Sequence, residues 1–170
     1  MATNVQQATL TVWKFRTADG AGQAVQTLKS LQQQGLINFL DGAIVSWPAN
    51  KKKPKTEQLN DFKGAGALTG SFWGLLFGLI FFVPILGLAI GAGMGALAAS
   101  MADVGISDAF IKQVRSEVTP GTSALFAYTS GAVMDKVEAA MKPSQPTLLT
   151  SNLSSDQEKQ LREVFAEDAG

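Results

Sequence analysis

The dominant hydrophobic feature of the chain is a run of 39 residues between Lys63 and Asp103 that contains no charged side chain. A membrane-spanning helix needs about 20 apolar residues, and Pro84 divides the run into segments of 20 and 18 residues. Because proline breaks or kinks a helix, the pattern predicts two helices, at 64–83 and 85–102, folded as an antiparallel transmembrane hairpin. The alternative is a buried helical hairpin in a soluble core. Such helices normally keep a polar face, whereas this run offers only three hydroxyl side chains.

Small residues recur at every fourth position in both halves of this run. Residues four apart lie on one face of a helix, and small faces let helices approach closely in lipid. The spacing therefore predicts a glycine zipper, within one chain or between neighbouring chains. Its helix-packing residues are Gly66, Gly70, Gly74 and Gly78 in the first half and Gly87, Gly91, Gly95 and Ala99 in the second.

The centre of the run is apolar where a hairpin that crosses a membrane usually carries a polar loop. Phe81, Phe82 and Pro84 are predicted to form the apex of the hairpin. Two geometries stay open: the apex reaches the far interface of the bilayer, or the hairpin stops inside it as a wedge. We expect the spanning geometry, because each half has just enough residues to cross.

Two oppositely charged flanks enclose the hydrophobic run. Residues 1–63 hold 8 basic and 4 acidic side chains, and residues 103–170 hold 6 basic and 10 acidic side chains. Positive charge beside a membrane segment indicates the cytoplasmic side, which predicts an inner-membrane protein with both termini in the cytoplasm. The sequence also lacks the pattern of a signal peptide at its start. Contact with anionic lipid headgroups is predicted for Lys51, Lys52, Lys53, Lys55 and Lys63. A solvated turn between strands is the simpler interpretation of the KKKPK segment, and it is compatible with that contact.

Each flank has the pattern of a strand, a helix and a second strand. In the first flank these are Thr9–Phe15, a helix near 20–35 capped by Thr17 or Asp19, a turn at Asp41 and Gly42, and Ala43–Trp47, with a weaker strand near 54–58. In the second they are Ser123–Thr129, a helix near 132–142 and Thr147–Thr150. Two further helices are predicted at 108–118, capped by Ser107, and at 155–167.

Two β-α-β units combine in the ferredoxin-like arrangement, and each flank alone is too small to bury an adequate core. The predicted fold class is therefore α+β. Residues 1–63 and 103–170 form the two halves of one ferredoxin-like domain, and the transmembrane hairpin at 64–102 is inserted between them.

The amino-acid composition excludes several kinds of catalytic group and metal site. The chain has no His and no Cys, which excludes imidazole bases, thiol nucleophiles and metal sites built from either residue. The 14 basic and 14 acidic residues balance, so a broad basic surface for nucleic acid is not expected. No catalytic residue, metal ligand or cofactor site is predicted, and an enzyme is the least favoured class.

Three segments carry a resemblance to a known family: GAGALTGSFWGLLFGLIFFVPILGLAIGAGMGALA, ADVGISDAFIKQV and VTPGTSALFAY. They resemble a bacterial family of small uncharacterised membrane proteins, classed as a domain of unknown function. Its members have a glycine-rich hairpin between two α+β flanks. The resemblance implies a bacterial membrane protein and supplies no activity.

The expected function is that of a non-catalytic integral membrane protein that self-associates into a homo-oligomeric, lipid-organising assembly. Its expected partners are further copies of itself and membrane lipids, and not nucleic acid. Two alternatives stay open, a small oligomeric channel or solute conduit and a membrane-anchored sensor of an unknown small molecule.

Overall fold

The protein folds around one five-stranded antiparallel sheet. The computed structural model describes residues 9–59, 70–82, 106–130, 134–144 and 146–152. The strands are β1 (Thr9–Phe15), β2 (Asn38–Ser46), β3 (Lys55–Gln58), β4 (Ser123–Ser130) and β5 (Thr147–Asn152). Their order across the sheet is β3-β2-β4-β1-β5. The first strand of the chain therefore lies between the last two, and neither flank forms the sheet alone.

Four helices are described. They are α1 (Gly20–Gln33), α2 (Gly70–Phe77) with a π-helical continuation (Gly78–Phe82), α3 (Asp108–Glu117) and α4 (Met134–Met141) with a short 3₁₀ turn (Lys142–Ser144). The units β1-α1-β2 and β4-α4-β5 interleave in the sheet, and β3 extends it through a hairpin with β2.

One face of the sheet packs against α1 and α4. The apolar stripe of α1 consists of Ala24, Val25, Leu28 and Leu31, all of them buried as the spacing predicts. It meets alternate residues of the strands, which point to the same side of the sheet. The buried cluster on this face also contains Trp13, Phe15, Leu125, Ala127, Val137 and Met141.

The other face is covered by α2, its π-helical continuation and α3. Here the strands contribute Leu10, Val12, Ala43, Val45, Phe126 and Tyr128 to a second buried cluster. Helix α3 contributes Phe110, Ile111 and Val114, and Ser107 caps its first turn by accepting a hydrogen bond from the Phe110 backbone N–H at 3.1 Å. The sheet is thus buried on both faces, and the predicted α3 and its cap are confirmed.

The predicted transmembrane hairpin is wrong. Residues 70–82, the described part of its first half, lie against the sheet, and Leu76 and Ile80 are both 0 % exposed. None of the helices among the described residues combines the length and the hydropathy that crossing a bilayer requires. The predicted ferredoxin-like domain with an inserted transmembrane hairpin is therefore incorrect as a fold class. Two predictions that depended on the transmembrane hairpin are wrong as well. They are the inner-membrane localisation with cytoplasmic termini and the assignment as a glycine-zipper membrane protein.

The physical reason lies in how α2 separates large from small side chains. The buried residues of α2 and its continuation are Phe72, Trp73, Leu76, Phe77, Leu79, Ile80 and Phe81. On the opposite side Gly74 is exposed and Gly78 is half-buried. A buried helix was expected to show a polar outer face, but here the less buried side carries glycines together with Leu75 and Phe82, which are half-buried against the core cluster. The missing polar stripe was therefore not evidence for lipid.

Two local predictions in the first flank are also wrong. Asp41 and Gly42 are part of β2, where the pairing with β4 shifts register between Phe39 and Asp41, rather than a turn. The Asp19 side chain makes no capping hydrogen bond to α1. Instead the Ser123 hydroxyl, from β4, accepts from the Ala21 N–H at 2.9 Å and donates to the Thr17 carbonyl at 2.6 Å.

Several predictions lie outside the described residues. They include the second hairpin helix at 85–102 and the C-terminal helix at 155–167. The predicted site residues that also lie outside the described segments are Lys63, Gly66, Pro84, Gly87, Gly91, Gly95 and Ala99.

Candidate functional site

A buried carboxyl group joins the apolar helix to the sheet. Asp41 is 0 % exposed. Its Oδ2 accepts hydrogen bonds from the indole N–H of Trp73 and from the side-chain amide of Gln58, each at 3.1 Å, and its Oδ1 accepts from the Gly42 N–H at 2.8 Å. Buried polar groups are costly unless they are hydrogen-bonded. Asp41 therefore fixes α2 against β2 and β3 at one defined position.

A second polar contact holds the far end of the same helical segment. The Arg115 guanidinium of α3 donates from Nε to the Ile80 carbonyl at 3.1 Å and from Nη2 to the Leu79 carbonyl at 2.8 Å. Hydrogen bonds from a charged donor are stronger than those between neutral groups, so Arg115 ties this segment to α3. Together with Asp41 it makes the segment 70–82 a fixed part of the domain.

Three of the predicted helix-packing glycines, Gly70, Gly74 and Gly78, lie on α2 and its π-helical continuation. Gly70 is the first residue of α2. A methyl group added at Gly74 or Gly78 would meet no atom within 4 Å among the described residues. The helix predicted to pack on these positions, at 85–102, lies outside the described residues, so the helix-packing role stays a prediction.

The predicted hairpin apex lies partly inside the sheet domain. Phe81 is 2 % exposed, and its ring meets that of Trp47 edge-on with 6.0 Å between the ring centroids. Phe82 is half-buried against the same cluster. Phe81 is therefore a core residue of the π-helical continuation, packed against Trp47 directly after β2.

Four of the five predicted lipid-contacting lysines lie on the loop between β2 and β3 or at the start of β3. Lys51, Lys52, Lys53 and Lys55 are all exposed. The loop is held by the Lys51 N–H, which donates to the Pro48 carbonyl at 3.1 Å, and by the Trp47 indole, which donates to the Lys51 carbonyl at 3.0 Å. These lysines thus lie on an exposed turn between two strands, and their contact with lipid headgroups stays a prediction.

The two edges of the sheet differ in chemistry. At one edge, β3 has only 4 residues, KTEQ, with Lys55 and Glu57 exposed. At the other, β5 has 6 residues, TLLTSN, without a charge or a proline. Within the described part of the chain, β5 pairs only with β1, so its outer edge meets no strand. Short length and charge protect an edge against pairing with another chain, and only β3 has both.

A groove lies beside the β5 edge, on the face of the sheet that carries α1 and α4. Its cavity has a volume of about 560 Å³. Trp13, Leu148 and Pro146 form an apolar floor, and Asp135, Glu138 and Lys142 line the rim. Trp13 lies within the strand predicted at Thr9–Phe15, but nothing in the sequence brings α4 to this strand. The β5 edge and this groove are the candidate functional site.

The sequence does not predict the two polar contacts, of Asp41 and of Arg115, that hold α2 and its continuation in place. Asp41 precedes a glycine, and an Asp-Gly pair is typical of turns. The sequence pattern around Arg115 predicts an ordinary exposed charge on an amphipathic helix. The sequence feature that could have indicated the Asp41 contact is a single acidic residue within an otherwise largely apolar strand. Acidic side chains are seldom fully buried, so its position in such a strand is unusual.

The topology defines an α+β protein with a split β-α-β sheet that is covered on both faces. Residues 67–166 match the family described as "Protein of unknown function (DUF1269)". Since this match spans more than half of the chain, the protein belongs to that family. No curated protein and no solved structure gives a significant match to the chain. The matched region begins after β3, so β1, which lies between β4 and β5, is supplied by residues before it.

Proposed function

We propose that the protein is a non-catalytic, self-associating protein whose copies join through the outer edge of β5. The observation that carries the proposal is the contrast between the two sheet edges. An edge strand offers a row of backbone N–H and C=O groups to a further strand, and β5 has no charged side chain to discourage one.

The geometry favours a symmetric pair. Two copies of an antiparallel edge can meet about a twofold axis, so that each β5 contributes the same surface. The sheets of the two copies then continue into one another, and the backbone groups along both edges gain partners. The opposite edge does not compete, because Lys55 and Glu57 are exposed there on a strand of 4 residues.

The non-catalytic part of the proposal rests on the sequence, which has no His or Cys to act as base or nucleophile. A bacterial origin, implied by the resemblance of the chain to its family, is also part of the proposal. The channel alternative needed a transmembrane hairpin and is not carried further.

Substitution of Thr147 by Lys tests the proposed edge. Thr147 is exposed at the start of β5, so the change adds a charge to the edge without disturbing the core. We expect Thr147→Lys to raise the dissociation constant of the dimer about tenfold, which corresponds to about 1.4 kcal/mol. Sedimentation velocity over a concentration series measures this constant.

The matched control is Thr56→Lys, the same substitution on the opposite edge strand. We expect it to leave the dissociation constant unchanged. The proposal fails if the unmodified chain sediments as a monomer at every concentration. It fails equally if the two variants weaken association by the same factor, since the effect would then come from charge alone.

A further inference from the structure

The groove beside β5 has the size and composition of a small-molecule site. Its volume of about 560 Å³ lies within the range of about 300–1,000 Å³ found for ligand pockets. Such pockets combine an apolar lining with a few polar groups that orient the ligand. This groove has both, and they lie on different elements of secondary structure.

The floor is apolar and fixed in position. Trp13 donates its indole N–H to the Thr11 hydroxyl oxygen at 3.1 Å, so the ring orientation is set and its only polar hydrogen is already used. Leu148 and Pro146, both half-buried, continue the floor. A ligand is therefore held here by apolar contact, and polar selectivity must come from the rim.

The rim carries charges along one side of α4 and the turn that follows it. Asp135 and Glu138 are three residues apart and so lie next to each other on the helix surface. Lys142 follows in the 3₁₀ turn. All three are exposed, and none forms an ion pair with another residue in the described segments. The two adjacent carboxylates favour a cationic group at that end of the groove.

Ala139 leaves the space between the rim and the floor open. It lies between Glu138 and Lys142, lines the cavity and is exposed. A larger side chain at this position would enter the groove without affecting the core.

We propose that this groove binds a small amphipathic amine, with the ammonium group between Asp135 and Glu138 and the apolar body against Trp13 and Leu148. This goes beyond self-association, since backbone pairing uses the outer edge of β5, whereas the groove lies on the face of the sheet that carries α1 and α4. The two proposals can therefore fail separately.

Isothermal titration calorimetry of the full chain with phenethylamine tests this site. We expect saturable binding that is absent for 3-phenylpropionate, which has the same apolar body and the opposite charge. Glu138→Gln should weaken binding about fivefold, as expected for one partly exposed charge contact. Ala139→Leu should abolish binding by filling the groove.

The matched control is Glu57→Gln, which removes an exposed carboxylate on β3 far from the groove and should leave the affinity unchanged. Circular dichroism of each variant checks that the fold is retained. The proposal is overturned if phenethylamine does not bind, if 3-phenylpropionate binds equally well, or if Ala139→Leu binds phenethylamine as tightly as the unmodified chain.

Discussion

Replacement of Asp41 by Ala lowers the free energy of unfolding by about 3 kcal/mol. The change removes the acceptor that Trp73, Gln58 and the Gly42 N–H share, and Trp73 is only 2 % exposed. A buried donor that loses its acceptor costs about 1–3 kcal/mol. Relief of the cost of burying the carboxyl group offsets part of this loss. Urea unfolding followed by circular dichroism measures the difference.

A double-mutant cycle with Trp73→Phe separates the contact from the general effect of a cavity. If the Trp73 indole donates to Asp41, the two substitutions are non-additive, with a coupling energy of about 1–2 kcal/mol. The matched control pairs Asp41→Ala with Arg115→Gln, at the other end of the helical segment, and should give additive effects. Additive effects in the Asp41–Trp73 pair would show that the indole does not contact this carboxyl group.

Replacement of Phe77 by Ala lowers the free energy of unfolding by about 3–5 kcal/mol, the range for loss of a large core side chain. The Phe77 ring lies edge-on to that of Phe126 on β4, with 5.0 Å between their centroids, and Phe77 is 3 % exposed. The cavity left behind would open between α2 and the centre of the sheet. Urea unfolding in aqueous buffer is again the measurement.

Gly74→Ala on the same helix is the matched control. Gly74 is exposed, and an added methyl group meets no described atom within 4 Å. Alanine also restricts the unfolded chain more than glycine does. We therefore expect the substitution to raise the free energy of unfolding by about 0.5–1 kcal/mol. A loss of stability at Gly74 comparable to that at Phe77 would mean that the glycine side of α2 is the packed side.

Several strands and helices of the two flanks could be predicted because each has a local pattern. The apolar stripe of α1 recurs at helical spacing, and β1 reads as a strand in a run of β-branched and aromatic residues. The cap of α3 at Ser107 is equally local. Such features depend on neighbours in the sequence, and the structure places them within a few residues of the expected bounds.

The position of the apolar run could not be predicted, because it depends on contacts distant in sequence. High hydropathy predicts that a segment is shielded from water, but it does not distinguish burial in lipid from burial in the protein core. The sheet face that covers α2 is made by residues from both flanks, among them Val12, Val45 and Phe126. The contact between Asp41 and Trp73 spans 32 positions, and nothing local in the sequence marks it.

The candidate site was missed for the same reason. Trp13 on β1 and Leu148 on β5 become neighbours only through the strand register, in which the two residues pair directly. The residues of β5, TLLTSN, include no charge and no proline. This matters for pairing with another chain only because the topology places β5 at the edge of the sheet.

The most direct test of the location of the apolar helix is a nuclear Overhauser experiment on the chain in aqueous buffer, with selectively labelled aromatic rings. The structure predicts cross-peaks from Phe77 and Trp73 to Phe126, since the ring centroids are 5.0 Å and 6.5 Å apart. Their presence would place α2 on the sheet. Their absence, together with cross-peaks from the same rings to added detergent, would contradict that position.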